Sequence, residues 1–115
     1  MRDRLVQPLQ EILEHAQVLL METDLEDLQR KFIEGMHSEA YQMFELFISI
    51  PDFTWEKARE IVSYESRSHL TSVIGYAEEL LEAPETVLAP DQRERVQFIH
   101  ARGRLLLNRL TEMLD

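Results

Sequence analysis

Apolar residues return every three or four positions along almost the whole chain, in four separate stripes, and this spacing confines the fold more than any other feature. Leu5, Leu9, Ile12, Leu13, Ala16, Leu19 and Leu20 make the first stripe; Leu25, Leu28, Phe32, Met36, Ala40, Met43 and Phe47 make the second. A period near 3.6 sets such residues on one face of a helix, and no segment alternates as a half-buried strand requires. A third helix is expected from Trp55 to about Leu81, with Ile61, Val62, Leu70, Val73, Ile74, Ala77 and Leu81 on its inner side. Val96, Ile99, Gly103, Leu106, Leu110 and Met113 carry the fourth stripe.

The breaks between stripes are also readable. Thr23 and Glu26 have the spacing of a capping box and are expected to start the second helix. Pro51 biases the residue before it away from helix, so Pro51-Asp52-Phe53-Thr54 divides the second stripe from the third. Pro84 to Pro90 forms the last connection, and Pro90 suits a first helical turn, where its missing N–H has no bond to lose. Four amphipathic helices with 3–4 spacing predict an all-α fold, a four-helix bundle.

A chain of 115 residues is one domain's worth, large enough to bury a core without disulfides or metal. The absence of cysteine excludes a disulfide scaffold, a thiolate metal site and a cysteine nucleophile, and fits a reducing cytoplasm. Met1-Arg2-Asp3-Arg4 is not followed by an apolar segment, so no signal peptide is expected, and no run approaches the ~20 apolar residues that span a bilayer. A formal net charge of −10 disfavours nucleic acid as a partner, because phosphate contacts need clustered cations. Arg93, Arg95, Arg102, Arg104 and Arg109 depart from that balance; they either face an acidic partner or pair with neighbouring glutamates on a solvated face.

The two halves resemble each other. Leu9 to Leu20 lines up without a gap on Leu70 to Leu81; with a slightly longer connection in the second half, Gln29-Arg30 meets Gln92-Arg93, Met36-His37 meets Ile99-His100, and Met43-Phe44 meets Leu106-Leu107. This divides the single domain 1–115 into two helical hairpins, 1–50 and 54–115.

One stretch carries a family resemblance. Ser63-Tyr64-Glu65-Ser66-Arg67-Ser68-His69-Leu70-Thr71-Ser72-Val73-Ile74-Gly75-Tyr76-Ala77-Glu78 resembles the phosphoacceptor helix of bacterial histidine kinases (the HisKA family), whose usual wording is close to SHELRTPLTSILGYAE. Gly75 corresponds to the glycine of that wording, Leu5-Val6-Gln7-Pro8-Leu9 parallels its LRTPL, and Leu110 to Asp115 resembles its closing LLD. The resemblance implies a bundle of two HisKA-like antiparallel hairpins. Such hairpins normally dimerise, and two in one chain would build the bundle within a monomer. The alternative is a helical lead-in before a single HisKA-like hairpin that dimerises in the ordinary way.

The family's reactive histidine falls on Tyr64, and on Asp3 in the first half, so neither copy keeps the group that forms a phosphoramidate. Glu65 matches the acid that follows the acceptor and Arg67 the arginine of the motif. His69 stands where the motif has proline and is the rival candidate, a displaced acceptor. It lies five residues beyond Tyr64, and steps of about 100° turn it well away from that face. His15, His37 and His100 form no recognised metal or phosphotransfer motif. Gly35, Gly75 and Gly103 sit singly inside helices and build no phosphate-cradling loop, so neither nucleotide, metal nor other cofactor is expected. Phe44, Phe47, Phe53 and Trp55 gather at the joint between the halves, as core filling or, for Trp55, as part of an exposed contact patch.

The expected function is therefore non-catalytic: a cytoplasmic adaptor or inhibitor in two-component signalling. It would bind a histidine kinase or a response-regulator receiver domain through Tyr64, Glu65, Arg67, Ser68 and His69, with Asp3 to Pro8 as the second surface. Two other readings stay open, a phosphotransferase relaying through His69 and a structural oligomerisation module outside phosphorelay signalling. The alternatives for the assembly are a pseudo-dimeric monomer and a homodimer.

Overall fold

A computed structural model describes residues 2–22, 24–51, 54–82 and 87–114. Helices α1 (Arg2–Leu20), α2 (Asp27–Ser49), α3 (Trp55–Glu82) and α4 (Pro90–Leu114) run up and down in succession, and no strand occurs among the described residues. Each packs mainly on its two neighbours, α1 on α2 and α4, α3 on α2 and α4, which closes a ring about 45 Å long. The fold is the four-helix bundle that the stripes predict.

Burial follows the 3–4 rhythm and repeats between the hairpins. Leu9, Ile12, Ala16 and Leu19 of α1 are fully buried, as are their counterparts Leu70, Val73, Ala77 and Leu80 of α3. In the other pair, Gln29, Ile33, Met36, Ala40, Met43 and Phe47 turn inward on α2, and Gln92, Val96, Ile99, Gly103, Leu106 and Leu110 turn inward on α4. Two expected core positions are corrected. Leu28 is 43% and Ile61 63% exposed: the inward positions next along each helix are held by Gln29 on α2 and by Val62 and Ser63 on α3. Ile33, absent from the expected stripe, takes the inward place instead.

Helix starts and ends are closed by repeated bonds. The Glu26 N–H donates to Gln29 Oε1 at 2.9 Å, and the Ala89 N–H donates to Gln92 Oε1 at 2.9 Å. In each helix the glutamine stands at the third position and reaches back to the residue before the first. The expected Thr23–Glu26 box is thus displaced: Glu26 is itself the N-cap, in extended conformation, and Thr23 lies outside the described residues. The next residue in each helix caps the helix before it. Arg30 donates to the carbonyls of Leu20 (3.0 Å) and Glu22 (2.5 Å), and Arg93 donates to that of Leu81 (3.2 Å). Carbonyls at a helix end lack intrahelical donors, and these guanidiniums supply them.

The glutamine amides also tie the hairpins together. Gln29 Nε2 donates to the Val87 carbonyl at 3.0 Å, while Gln92 Nε2 donates to Asp24 Oδ1 at 3.2 Å. Each therefore crosses to the connection of the other hairpin. At the opposite end Trp55 is buried, with its ring edge-on to Phe47 at 5.9 Å and the Arg2 guanidinium 5.1 Å from its centroid. Trp55 thus fills the core, which removes it from any contact patch; Phe53 lies outside the described residues.

Candidate functional site

Helix α3 carries the five residues singled out in the sequence, and its packing sends them in three directions. Tyr64 is 81% exposed, with Glu65 and Ser68 also exposed and Ile61 one turn before it on the same outward side. Arg67 turns toward α4, where Nη2 donates to Thr111 Oγ1 at 3.4 Å. His69 turns toward α2 and places Nδ1 2.5 Å from Glu39 Oε2. Tyr64 is the most exposed of the five, and Arg67 and His69 lie to either side of it, each joined to a neighbouring helix.

The inner side of the same segment is unusually polar. Ser63 and Ser66 are fully buried, and their Oγ atoms, like Nε1 of Trp55, have no hydrogen-bond partner. Buried hydroxyls without partners are uncommon because each loses its hydration without recompense. No hydropathy signal marks these serines as core residues.

The His69 contact defines a tautomer. An ionised carboxylate only accepts, so Nδ1 of His69 donates to Glu39, and in the neutral ring the lone pair is left on Nε2. In α1 the matching position is Pro8, which is buried and has no N–H to give to the carbonyl of Arg4. Arg109 of α4 donates to that carbonyl instead. On the second candidate surface Asp3 and Arg4 are exposed and Pro8 is not.

The remaining histidines and the arginine group have structural partners. Arg95 Nη1 donates to Nδ1 of His15 at 3.0 Å. Burial, and next the Arg95 charge, hold the His15 pKa below its ordinary value, against Glu11 and Glu14. His37 lies parallel to the Tyr41 ring, and His100 Nε2 is 3.7 Å from Glu78 Oε1. Arg102 pairs with Glu11 at 3.2 Å and Arg104 with Glu78 at 3.9 Å. Together with Arg93 and Arg109 on carbonyls, all five arginines of the fourth helix have partners on other elements. An acidic partner is therefore not needed to explain them.

Among the described residues no group of three His, Asp or Glu side chains could hold a metal ion, and no helix is long and apolar enough to cross a membrane. The chain matches no family model, no curated protein and no solved structure. Geometry and residue chemistry therefore carry the functional reading.

Proposed function

We propose that this bundle is a non-catalytic docking module, a degenerate HisKA-like adaptor or inhibitor acting in the cytoplasm of a bacterium on a histidine kinase or a receiver domain. The observation that carries the reading is Tyr64, which occupies the acceptor position of the motif and stands 81% exposed on the outward face of α3. A partner seated on that face meets a phenol where it would otherwise meet an imidazole. Phenolic oxygen cannot form the phosphoramidate that a receiver draws on. The bundle thereby competes for the partner's docking surface and passes on no phosphoryl group.

The test is affinity purification of the tagged intact protein from its own host, with mass spectrometry of what is retained. Recovery of a histidine kinase or receiver, lost in a Tyr64→Arg variant, supports the adaptor; enrichment of an unrelated partner with neither of these rejects it.

The Glu39 contact favours a second reading. A carboxylate on Nδ1 orients His69 and leaves Nε2 as the nucleophilic nitrogen, which is the arrangement a displaced phosphoacceptor would use. Acid-labile phosphate on the protein after incubation with a phosphorylated receiver, abolished by His69→Ala, would establish it. No labelling would leave His69 as a bridge between α2 and α3.

A further inference from the structure

Each of the three glycines lies inside a helix, and the bundle accounts for two of them. A Cβ at Gly35 would stand 2.7 Å from Cε2 of Tyr76, and one at Gly103 would stand 3.1 Å from Cγ1 of Ile74. Gly75 differs: it is exposed, and a Cβ there would meet no atom within 4 Å. Glycine inside a helix costs about 1 kcal/mol relative to alanine. At Gly75 the fold gains no packing to offset that cost, whereas a partner backbone approaching the helix closely would.

Gly75 lies in an open groove. With Phe32, Ser72, Tyr76 and Glu79 it lines a space of about 480 Å³ between α2 and α3. The rings of Phe32 and Tyr76 are 5.9 Å apart, and Leu28, one turn before Phe32 on the same side of α2, is 43% exposed.

The opposite seam, between α1 and α4, is an internal control. In the matching positions it has Arg95 for Phe32, Phe98 for Gly35, Glu14 for Gly75 and His15 for Tyr76. There the side chains close on one another. Arg95 bonds His15, Phe98 packs on the His15 ring at 4.2 Å, and the Arg102 guanidinium covers Phe98 at 4.7 Å. The space left is about 260 Å³, bounded largely by charged groups that include Asp91 and Glu94. One seam is lined mainly by charged groups that pair with one another, and its counterpart is a shallower surface that presents two aromatic rings beside an exposed glycine.

Charge selects the occupant. Glu79 lines the groove, and Asp27, Glu34 and Glu82 stand exposed on the same stretches of helix. Arg30 is engaged by the carbonyls of Leu20 and Glu22, so Lys31 is the nearby cation set against these acids. A second copy would bring a like charge of −10 onto this surface, and an anionic membrane would repel it similarly. We propose that the α2/α3 groove receives a basic amphipathic helix from a partner protein. Apolar residues at i and i+4 would lie over Gly75 and against the outer side of the paired Phe32 and Tyr76 rings, with flanking lysines or arginines facing Glu79 and its acidic neighbours. Gly75 lies about 17 Å along α3 from Tyr64, so the groove stands or falls independently of the adaptor reading of that face.

The test titrates the intact, isotope-labelled protein with a Leu/Lys amphipathic peptide of about 18 residues, beside a scrambled peptide of the same composition. Amide shifts concentrated in residues 28–35 and 72–79 are expected for the amphipathic peptide alone. Filling the groove with Gly75→Phe should weaken binding roughly tenfold or more, while Gln17→Phe on the exposed side of α1 leaves it unchanged. Equal binding of the scrambled peptide or by the Gly75→Phe protein would reduce the effect to bulk charge and overturn the proposal. Shifts confined to the Tyr64 face or the α1/α4 seam, no binding, or self-association of the protein through these residues would overturn it as well.

Discussion

His15 shows how one side chain links local packing to solution behaviour. Its pKa is lowered by burial first and by Arg95 next, with Arg102 adding to the effect and Glu11 and Glu14 opposing it. The folded chain thus binds this proton less readily than the unfolded chain, so the contribution to stability is complete above the unfolded value of 6.5. It is lost as the pH falls through the folded value. His15→Gln keeps an acceptor for Arg95 but cannot titrate; urea melts of this variant should lose less stability than the parent between about pH 7 and pH 5. The glycines give a prediction of opposite signs. Gly75→Ala should stabilise the protein by about 0.5–1 kcal/mol, since the new methyl enters open space and helix propensity improves. Gly103→Leu should destabilise it by about 1–3 kcal/mol, because Ile74 already stands against that position. Chemical denaturation of both variants tests the contrast.

At the level of the helix, α1 tolerates an interior proline because a neighbour completes its bonding. Pro8 leaves the Arg4 carbonyl without its intrahelical donor, and Arg109 supplies one from α4. Arg109→Gln should therefore cost about 1 kcal/mol in the parent and clearly less in a Pro8→Ala background, where the N–H returns. A double-mutant cycle by urea denaturation measures that coupling; additive costs would mean the two residues act separately. Element boundaries of this kind were largely legible from spacing: α3 was expected from Trp55 to about Leu81 and runs to Glu82, and Pro90 does open α4. Polar residues set the limit. Gln29 points inward for the bonds it makes and Ser63 through the geometry of α3, and hydropathy registers neither, so spacing alone places Leu28 and Ile61 on the wrong side. The directions of Arg67 and His69 were equally hidden, since each depends on a partner, Thr111 or Glu39, distant in the chain. The α2/α3 groove left only a faint trace, a glycine beside a tyrosine in an otherwise strong helical stripe.

For the whole molecule, the closed ring makes each hairpin the cover for the other. Residues 54–115 alone would expose the faces of α3 and α4 that now meet α1 and α2, so that half should self-associate while the intact chain sediments as a monomer. Sedimentation equilibrium on both would decide; a tight dimer of the intact chain would show that the bundle is completed between molecules. The ring also has a consequence for chain order. Arg4 and Leu5 of α1 gather with Arg109, Glu112 and Met113 of α4 around one small cavity, so the start of the first helix and the end of the last are side by side. A circular permutant could begin at residue 54, pass from 114 through a short linker to residue 2, and finish at residue 50, keeping every pair of neighbouring helices. In this architecture the points where a chain opens are interchangeable, and a sensor or reporter could be spliced in at either end of the bundle without redesigning its interior.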